Sequence, residues 1–576
     1  MKTSKMATFI ILLFASINSY SQVLEMIWSP LIEYDRGTYI WSFVAQNDDC
    51  IYLERKKTDN SRKIENLKIY AFQKNVNIKA AELPLMGFKE NKATKKTYKK
   101  LGYWKTVSVK DKVFVLWRKG IKDSVAVYFE TFDSRLNRLS QLKELAVTSN
   151  KTGSEKVTFQ NLFYNSNRQK FLIASELAGN IGDKVRFELK VFSEEFKELK
   201  SFETELPVRI ENKRQTIRLW SMVFGDDYAL HFECEPTLAE DQIKVRSEAA
   251  SNEARPLILG MGSIHLETES LICKTIAFEG VSAWTYEKEI TSKGIRLFGF
   301  QADTQNDVFE KHKKILGFFD IQMNPSYEIL DIKVVRFTPV DIGVLFENQP
   351  YEEAEMIECK VSNPDFLSSE YEVEETYRQE NGDIYFFCSR NHVRQGGTDV
   401  NYTTTTRAGT TSFTETNYVT TTFYNIKTDV VVFKVSNQGK LVWISKLPRR
   451  MTYSGDLYHH VQMTPQMMFS NRDVHVFDQG EQLLILTADE YDINKEGKAV
   501  PKKKKAIKET QPIRVFSINK QDGSFSTSEI NTTKDDGTKK EIEVVNGKKT
   551  ADGLYFHSYE GNSLSKGYVG SIYIEK

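Results

Sequence analysis

A long repeat constrains the fold of this chain more than any other feature of its sequence. Phe72, Phe132 and Phe192 follow one another at equal intervals, and each ends a strand-like run just before a polar turn. These runs are residues 67–72, 127–132 and 187–192, and the apolar runs that precede them are 50–53, 113–117 and 171–174. A fixed period of this length predicts repeated units that bury their faces against one another.

Less regular copies of the same hairpin continue to the end of the chain, at residues 263–266, 315–319, 356–361, 430–435, 513–518, 554–557 and 568–574. Units of about 60 residues that hold four strands are typical of propeller blades. We therefore predict an all-β protein, a single large β-propeller of about seven or eight four-stranded blades with long loop insertions. Two β-sandwich domains in tandem are the alternative, which the repeat disfavours. The last two runs are expected to complete a blade begun near Trp28 to Trp41 and so close the ring.

Residues 1–21 have the three parts of a secretory signal peptide. Two lysines give a positive start, residues 7–15 are apolar, and small residues at 19 and 21 place the cleavage site before Gln22. The sequence therefore predicts export, to the periplasm or the medium, of a propeller formed by residues 22–576. A buried N-terminal strand or an uncleaved anchor is the alternative. No later apolar stretch reaches the length of about 20 residues that spans a bilayer, so no integral membrane span is expected.

Charge and cysteine content exclude several classes of function. The formal net charge is +1, which gives no overall field to attract nucleic acid. The five cysteines form no CxxC pair, so the sequence indicates neither a zinc site nor a redox motif. Cys234 and Cys273 lie in neighbouring strand-like runs and could form a disulfide after export. Free buried thiols are the interpretation that we favour.

Two late turns, residues 435–443 and 518–525, carry a resemblance to a known family. Gly439 is followed four residues later by Trp443, whereas Gly523 is followed by Phe525 and lacks the tryptophan. This pattern resembles the propeller repeats of quinoprotein-like and related outer-membrane assembly proteins, and it implies an exported bacterial repeat protein. The resemblance implies no cofactor, and we predict none. Glycine suits such hairpin turns because it adopts positive φ at no steric cost.

Catalytic motifs are absent from the sequence, since neither HExxH nor Gly-x-Ser-x-Gly occurs. The nearest metal motif is Asp492, Asn494 and Glu496 ahead of a glycine, which resembles the start of a calcium loop. The twelfth position of that loop would be Lys503, whose charge repels a cation, so a hydrated turn is favoured. His459 and His460 are weaker metal candidates because adjacent residues of a strand point in opposite directions.

Residues 391–428 are rich in Thr and Tyr and predict a long hairpin that projects from a blade. Tyr402, Arg407, Phe413 and Tyr418 are the binding candidates, because exposed strand edges and tyrosines suit pairing with a partner strand or stacking on a sugar. A rigid cover for a blade edge is the alternative. The other predicted insertions are 236–256, which is charged, and 495–510, which holds a run of four lysines.

These features predict a non-enzymatic exported propeller that acts as a protein-binding scaffold in the cell envelope. The first alternative is a carbohydrate-active enzyme or glycan-binding propeller with its site at the central channel, where acids from different blades could meet. The second alternative is a carrier of a small ligand or metal. Binding of nucleic acid is not expected.

Overall fold

The computed structural model describes residues 24, 26–33, 40–58, 64–86, 101–121, 124–149, 157–177, 184–209, 217–234, 257–291, 294–302, 314–338, 340–341, 367–368, 371–403, 416–458, 474–488, 491–493, 499–501, 513–530, 541–542, 548–550, 553–560 and 563–573. Strands make up nearly all of its regular structure. The predicted signal peptide, residues 1–21, and the predicted insertion at 236–256 lie outside the described residues. So does the predicted strand at 356–361.

The strands of the first half of the ring fall into sheets of four. After β1 (Met26–Trp28) and β2 (Ile32–Glu33), blade 1 holds β3 (Ile40–Gln46), β4 (Cys50–Thr58), β5 (Ile64–Gln73) and β6 (Lys79–Met86). Blade 2 holds β7 (Gly102–Val109), β8 (Lys112–Ile121), β9 (Ser124–Asp133) and β10 (Lys143–Ser149). Blade 3 holds β11 (Val157–Asn165), β12 (Lys170–Leu177), β13 (Lys184–Ser193) and β14 (Glu198–Arg209). Blade 4 holds β15 (Ile217–Phe224), β16 (Ala229–Cys234), β17 (Leu257–His265) and β18 (Leu271–Phe278).

The second half repeats this order with additions. Blade 5 holds β19 (Ala283–Thr291), β20 (Gly294–Ala302), β21 (Lys314–Met323) and β22 (Ile329–Arg336), and the short β23 (Leu367–Ser368) pairs with β21. Blade 6 holds β24 (Tyr371–Arg378), β25 (Ile384–Thr403), β26 (Thr416–Val435) and β27 (Leu441–Tyr458). Blade 7 holds β28 (Val474–Gln479), β29 (Gln482–Ala488), β32 (Ile513–Asn519) and β33 (Phe525–Ile530), with a small hairpin of β30 (Tyr491–Ile493) and β31 (Ala499–Pro501). Blade 8 holds β34 (Glu541–Ile542), β35 (Lys548–Thr550), β36 (Gly553–Glu560) and β37 (Ser563–Tyr573).

The ring has eight blades and is closed by its own termini. The outermost strand of blade 8 comes from the N-terminal region, because β1 pairs antiparallel with β37 in a register that places Met26 opposite Ile572. The predicted β-propeller and its closure by the last strands are therefore confirmed. The boundary of the closing blade falls between the two tryptophans, since Trp28 belongs to blade 8 while Trp41 lies in β3 of blade 1.

Each pair of neighbouring blades encloses one apolar core, which gives eight cores around the ring. The three phenylalanines of the long repeat are fully buried in three successive cores. Phe72 packs between blades 8 and 1, Phe132 between blades 1 and 2, and Phe192 between blades 2 and 3. The repeat in the sequence therefore records one buried aromatic position per interface.

The two faces of the ring carry very different connections. The first strands of neighbouring blades contact one another, as β3 does with β7, and so line the central channel. The turns from first to second strand and from third to fourth strand are all short and emerge on one side, here the turn face. All other connections join strand ends on the opposite side, here the insertion face, and the longest of them runs from 337 to 370.

The turns between third and fourth strands share one geometry in blades 2, 3, 5 and 6. In blade 2 the amide of Leu136 donates to the carbonyl of Asp133, and the amide of Asp133 donates to the carbonyl of Asn137. The fourth residue of the turn has positive φ, which glycine normally supplies, yet in blades 2, 3 and 5 it is Leu136, Phe196 and Tyr327. These side chains are buried between blades, so packing compensates for the backbone strain.

The cysteines in the described residues are free. Cys234 lies in β16 and Cys273 in β18, with β17 between them. Two strand spacings place their Cα atoms at least about 9 Å apart, which exceeds the reach of a disulfide. Burial raises the pKa of both thiols, to about 11 for Cys234 and about 12 for Cys273.

Candidate binding surfaces

Blade 6 continues beyond the ring on the insertion face. β25 and β26 have 20 residues each and β27 has 18, whereas the second strand of blade 2 has 10. The ten additional residues extend the sheet by about 34 Å at about 3.4 Å per residue. We call the part formed by residues 391–403, 416–428 and 450–458 the projecting sheet. It confirms the long hairpin predicted there and adds a third strand.

One edge of the projecting sheet has no partner strand among the described residues. β24 pairs with β25 only as far as the pair Tyr371 and Arg390, and from 391 to 403 the ladder of β25 runs along β26 alone. Such an edge presents a row of backbone N–H and C=O groups that can pair with another strand. Backbone geometry therefore makes this edge competent for strand addition.

A buried polar network holds the base of the projecting sheet. The ammonium of Lys427 in β26 lies 2.8 Å from a carboxylate oxygen of Glu374 in β24, and both side chains are 3% exposed. The hydroxyl of Ser389 donates to the same oxygen of Glu374. The guanidinium of Arg449 donates to the Thr487 hydroxyl of blade 7 at 2.8 Å. Charges buried in this way must stay paired, because a lone buried charge is costly.

The predicted binding residues fall partly in this sheet. Tyr402 of β25 lies opposite Asn417, and Tyr418 of β26 lies opposite Asn401, so the two tyrosines occupy neighbouring positions of one ladder. Arg407 and Phe413 lie outside the described residues. Their roles stay predictions.

The described part of the chain contains one of the predicted metal candidates. Asp492 lies in β30 opposite Val500, while Asn494, Glu496, His459 and His460 lie outside the described residues. Within the described ranges, no group of three His, Cys, Asp or Glu side chains is arranged to hold a metal ion. In the same ranges we found no helix with the length and apolar character of a membrane span.

A second candidate surface, which the sequence did not predict, is a cleft of about 320 Å³ between blades 5 and 6. It is bordered by Glu287, Lys288, Glu289, Arg296, Phe298, Thr376, Tyr377, Arg378 and Ile384. Its cations already have protein partners, since Arg296 makes two bonds to Asp320 and Lys288 lies 3.0 Å from Glu233. The signal in the sequence is the run of three charged residues at 287–289 in the first strand β19.

One carboxylate lies where the first strands of three blades meet. Glu375 of β24 accepts a hydrogen bond from the amide of Val476 at 3.1 Å and another from the ammonium of Lys549 in β35. These contacts join the first strands of blades 6, 7 and 8. The carboxylate of Glu375 is therefore neutralised by the protein itself.

Comparison with solved structures finds matches of low sequence identity, one of them described as a propeller. The Dos1 propeller has 10% sequence identity and a TM-score of 0.35, and the alignment covers 96% of each chain. The WD40 domain of SCAP from fission yeast has 7% identity and a TM-score of 0.33, with 96% of this chain and 98% of that chain covered. Drosophila Plexin A in complex with Semaphorin 1b has 8% identity and a TM-score of 0.30, with 96% and 88% covered. No protein-family model and no curated protein matches the sequence.

At these identities and TM-scores the matches carry no argument about this chain. The strand topology confirms the propeller fold that the two turns implied. The tryptophan of the first turn makes a contact between two blades. Trp443 of blade 6 packs against Gly523 in the turn of blade 7, and its indole N–H donates to the carbonyl of Lys520 at 3.4 Å. Membership of the quinoprotein-like family stays a hypothesis.

Proposed function

We propose that this protein is a non-enzymatic scaffold that binds other proteins through the insertion face, chiefly through the projecting sheet of blade 6. The observation that carries the proposal is the backbone edge of residues 391–403, which has no partner strand among the described residues and stands beyond the ring on a sheet with a buried ionic base. Strand addition uses backbone hydrogen bonds for affinity and neighbouring side chains for specificity.

The proposal places this scaffold outside the cytoplasm, in the cell envelope. It relies on the signal-peptide pattern of residues 1–21. Mass spectrometry of the chain recovered from its native host tests this part directly. A mature N-terminus at Gln22 supports export, whereas recovery from the cytoplasm of a chain that still carries residues 1–21 contradicts it.

A deletion tests the binding role. Because His392 lies opposite Ile426, residues 393–425 can be replaced by Asn-Gly, which closes a two-residue hairpin. A matched control is Leu330→Ser, which changes a side chain that is 64% exposed on the outer strand of blade 5. The two variants and the unaltered chain are used as bait in envelope extracts, and each protein captured is then purified for affinity measurement.

The expected result is binding to the unaltered chain and to Leu330→Ser, with at least a tenfold loss for the deletion. Equal affinity for all three chains would show that the projecting sheet is not the binding surface.

A further inference from the structure

The geometry of the open edge points to one particular partner: we propose that two copies of this chain dimerise by pairing residues 391–402 of their β25 strands antiparallel about a two-fold axis between Gly396 and Gly397. This inference deepens the proposed function and rests on it, because both assign binding to the projecting sheet. It differs in naming a second copy of the chain as the strand that is added.

The register of β25 contains the feature on which the inference depends. Gln395 lies opposite Phe423 and Thr398 lies opposite Thr421, so Gly396 and Gly397 together face only Thr422. This is a bulge, in which one extra residue shifts the alternation of the strand. Because of this extra residue, two positions on opposite sides of the bulge lie on the same face when an odd number of positions separates them. In a regular strand such positions lie on opposite faces.

The bulge brings an acid and a base onto one face of the sheet. Arg394 and Asp399 are separated by an odd number of positions, which in a regular strand means opposite faces. Because of the bulge, Arg394 lies opposite Tyr424 and Asp399 lies opposite Thr420, two positions of β26 whose even spacing puts them on one face.

A second copy placed antiparallel on this edge meets a matching sequence. With the axis between Gly396 and Gly397, Arg394 of each copy lies opposite Asp399 of the other, so the opposite charges pair twice. Val393 likewise lies opposite Val400, and their partners in β26, Asn425 and Val419, show that both valines are on the other face. Directly opposed residues of antiparallel strands have Cβ atoms about 5 Å apart, where opposite charges attract and like charges repel.

The edge is also the right length for this pairing. β24 leaves β25 after Arg390, so residues 391–402 are the first positions at which a new strand can continue the sheet. The charges and valines of this strand complement the same strand in a second copy. Binding of an unrelated extended peptide would not require the strand to complement itself, so the pattern favours a second copy.

Reversing the charge of Arg394 or Asp399 tests the pairing. Mixing the two variants then separates loss of binding from loss of folding, because misfolded chains would not dimerise again. We expect the purified mature chain to have twice the monomer mass in light scattering after size exclusion. Arg394→Asp and Asp399→Arg should each weaken dimerisation at least tenfold, because each places two pairs of like charges face to face. An equimolar mixture of the two variants should dimerise again, because every reversed charge then meets its opposite.

A matched control lies on the other edge of the same sheet, where Asp456 of β27 pairs with Thr422. Asp456→Arg should leave the mass at that of the dimer. An unaltered chain that is monomeric at about 100 µM, well above the Kd of a specific interface of standard size, overturns the inference, as does a mixture of variants that stays monomeric. A dimer that Asp456→Arg breaks and Arg394→Asp leaves intact also overturns it.

The two proposals fail in distinguishable ways. A monomeric chain that still loses its captured proteins on deletion of 393–425 keeps the proposed function and refutes the dimer. A charge-dependent dimer that captures no other protein keeps the dimer and refutes the wider scaffold role.

Discussion

The turn face and the insertion face are built from the same strands but in opposite ways. On the turn face every connection is short, and side chains of one blade bond to the turn of the next, as Lys200 does to the carbonyl of Glu267 and Lys333 to that of Asn437. On the insertion face the connections range from the tight link at 122–123 to the long segment 337–370, and one blade extends about 34 Å beyond the others. Stability is therefore concentrated where the turns repeat, and variation is allowed where they do not.

The largest expected effect is at the boundary between the two regions, the ionic base of the projecting sheet. Lys427→Met removes the cation from Glu374 and leaves the buried carboxylate with the Ser389 hydroxyl but without its cationic partner. We expect a loss of about 3–5 kcal/mol in the free energy of unfolding, measured by chemical denaturation. Lys446→Met is the control, because Lys446 is more exposed and lies 3.3 Å from Asp429. Equal losses for the two variants would show that burial of the Glu374 pair is not what matters.

On the turn face the sharpest test is a pair of glycines with similar backbone angles. Gly523 has φ +73° and a Cβ there would lie 2.7 Å from the Trp443 ring, whereas Gly480 has φ +64° and open space around it. Gly480→Ala should cost about 1–2 kcal/mol from backbone strain alone, and Gly523→Ala about 2–4 kcal/mol because the contact between blades is also disturbed. Equal denaturation midpoints for the two variants would show that the contact of Trp443 with the turn of the next blade does not stabilise the ring.

A smaller effect concerns acid stability on the turn face. His231 contacts the Tyr327 hydroxyl at 2.9 Å and Asp227 at 3.0 Å, which links blades 4 and 5. Burial alone would raise the pKa of Asp227, but its bonds to His231 lower it below the usual value. A carboxyl of this kind stabilises the fold above its unfolded pKa of about 4 and loses that contribution as the pH falls. Asp227→Asn should therefore be less stable than the unaltered chain at pH 5, with the difference shrinking towards pH 2.5. A constant difference would contradict the role of this charge.

The smallest effect is chemical and concerns the thiols of the ring. Burial raises the pKa of Cys50, Cys234, Cys273 and Cys388, so thiolates are scarce at pH 8. In a Cys359→Ser background we expect almost no reaction with a thiol reagent in the native state and four thiols after denaturation. Fewer than four after denaturation without reductant would indicate a disulfide instead.

The sequence predicted the propeller fold because its repeat arises from the packing between blades, where each unit buries an equivalent phenylalanine. Phe72, Phe132 and Phe192 each fill a core between blades, and such cores are periodic by construction. The base of the projecting sheet escaped prediction because Glu374 and Lys427 are far apart along the chain, and no local pattern signals their pairing. Phe196 escaped it for another reason, since a bulky residue at positive φ breaks the expectation of glycine and is tolerated only by packing.

The comparison of the two faces is tested most directly by chemical denaturation of the chain in which Asn-Gly replaces residues 393–425. The reference is the full chain with Arg394→Asp, so that dimerisation does not enter the comparison. If the ring is held by its cores and turn face, the two chains should have free energies of unfolding within about 0.5 kcal/mol of each other. A loss as large as that expected for Lys427→Met would contradict the account, because the projecting sheet would then be part of what holds the ring together.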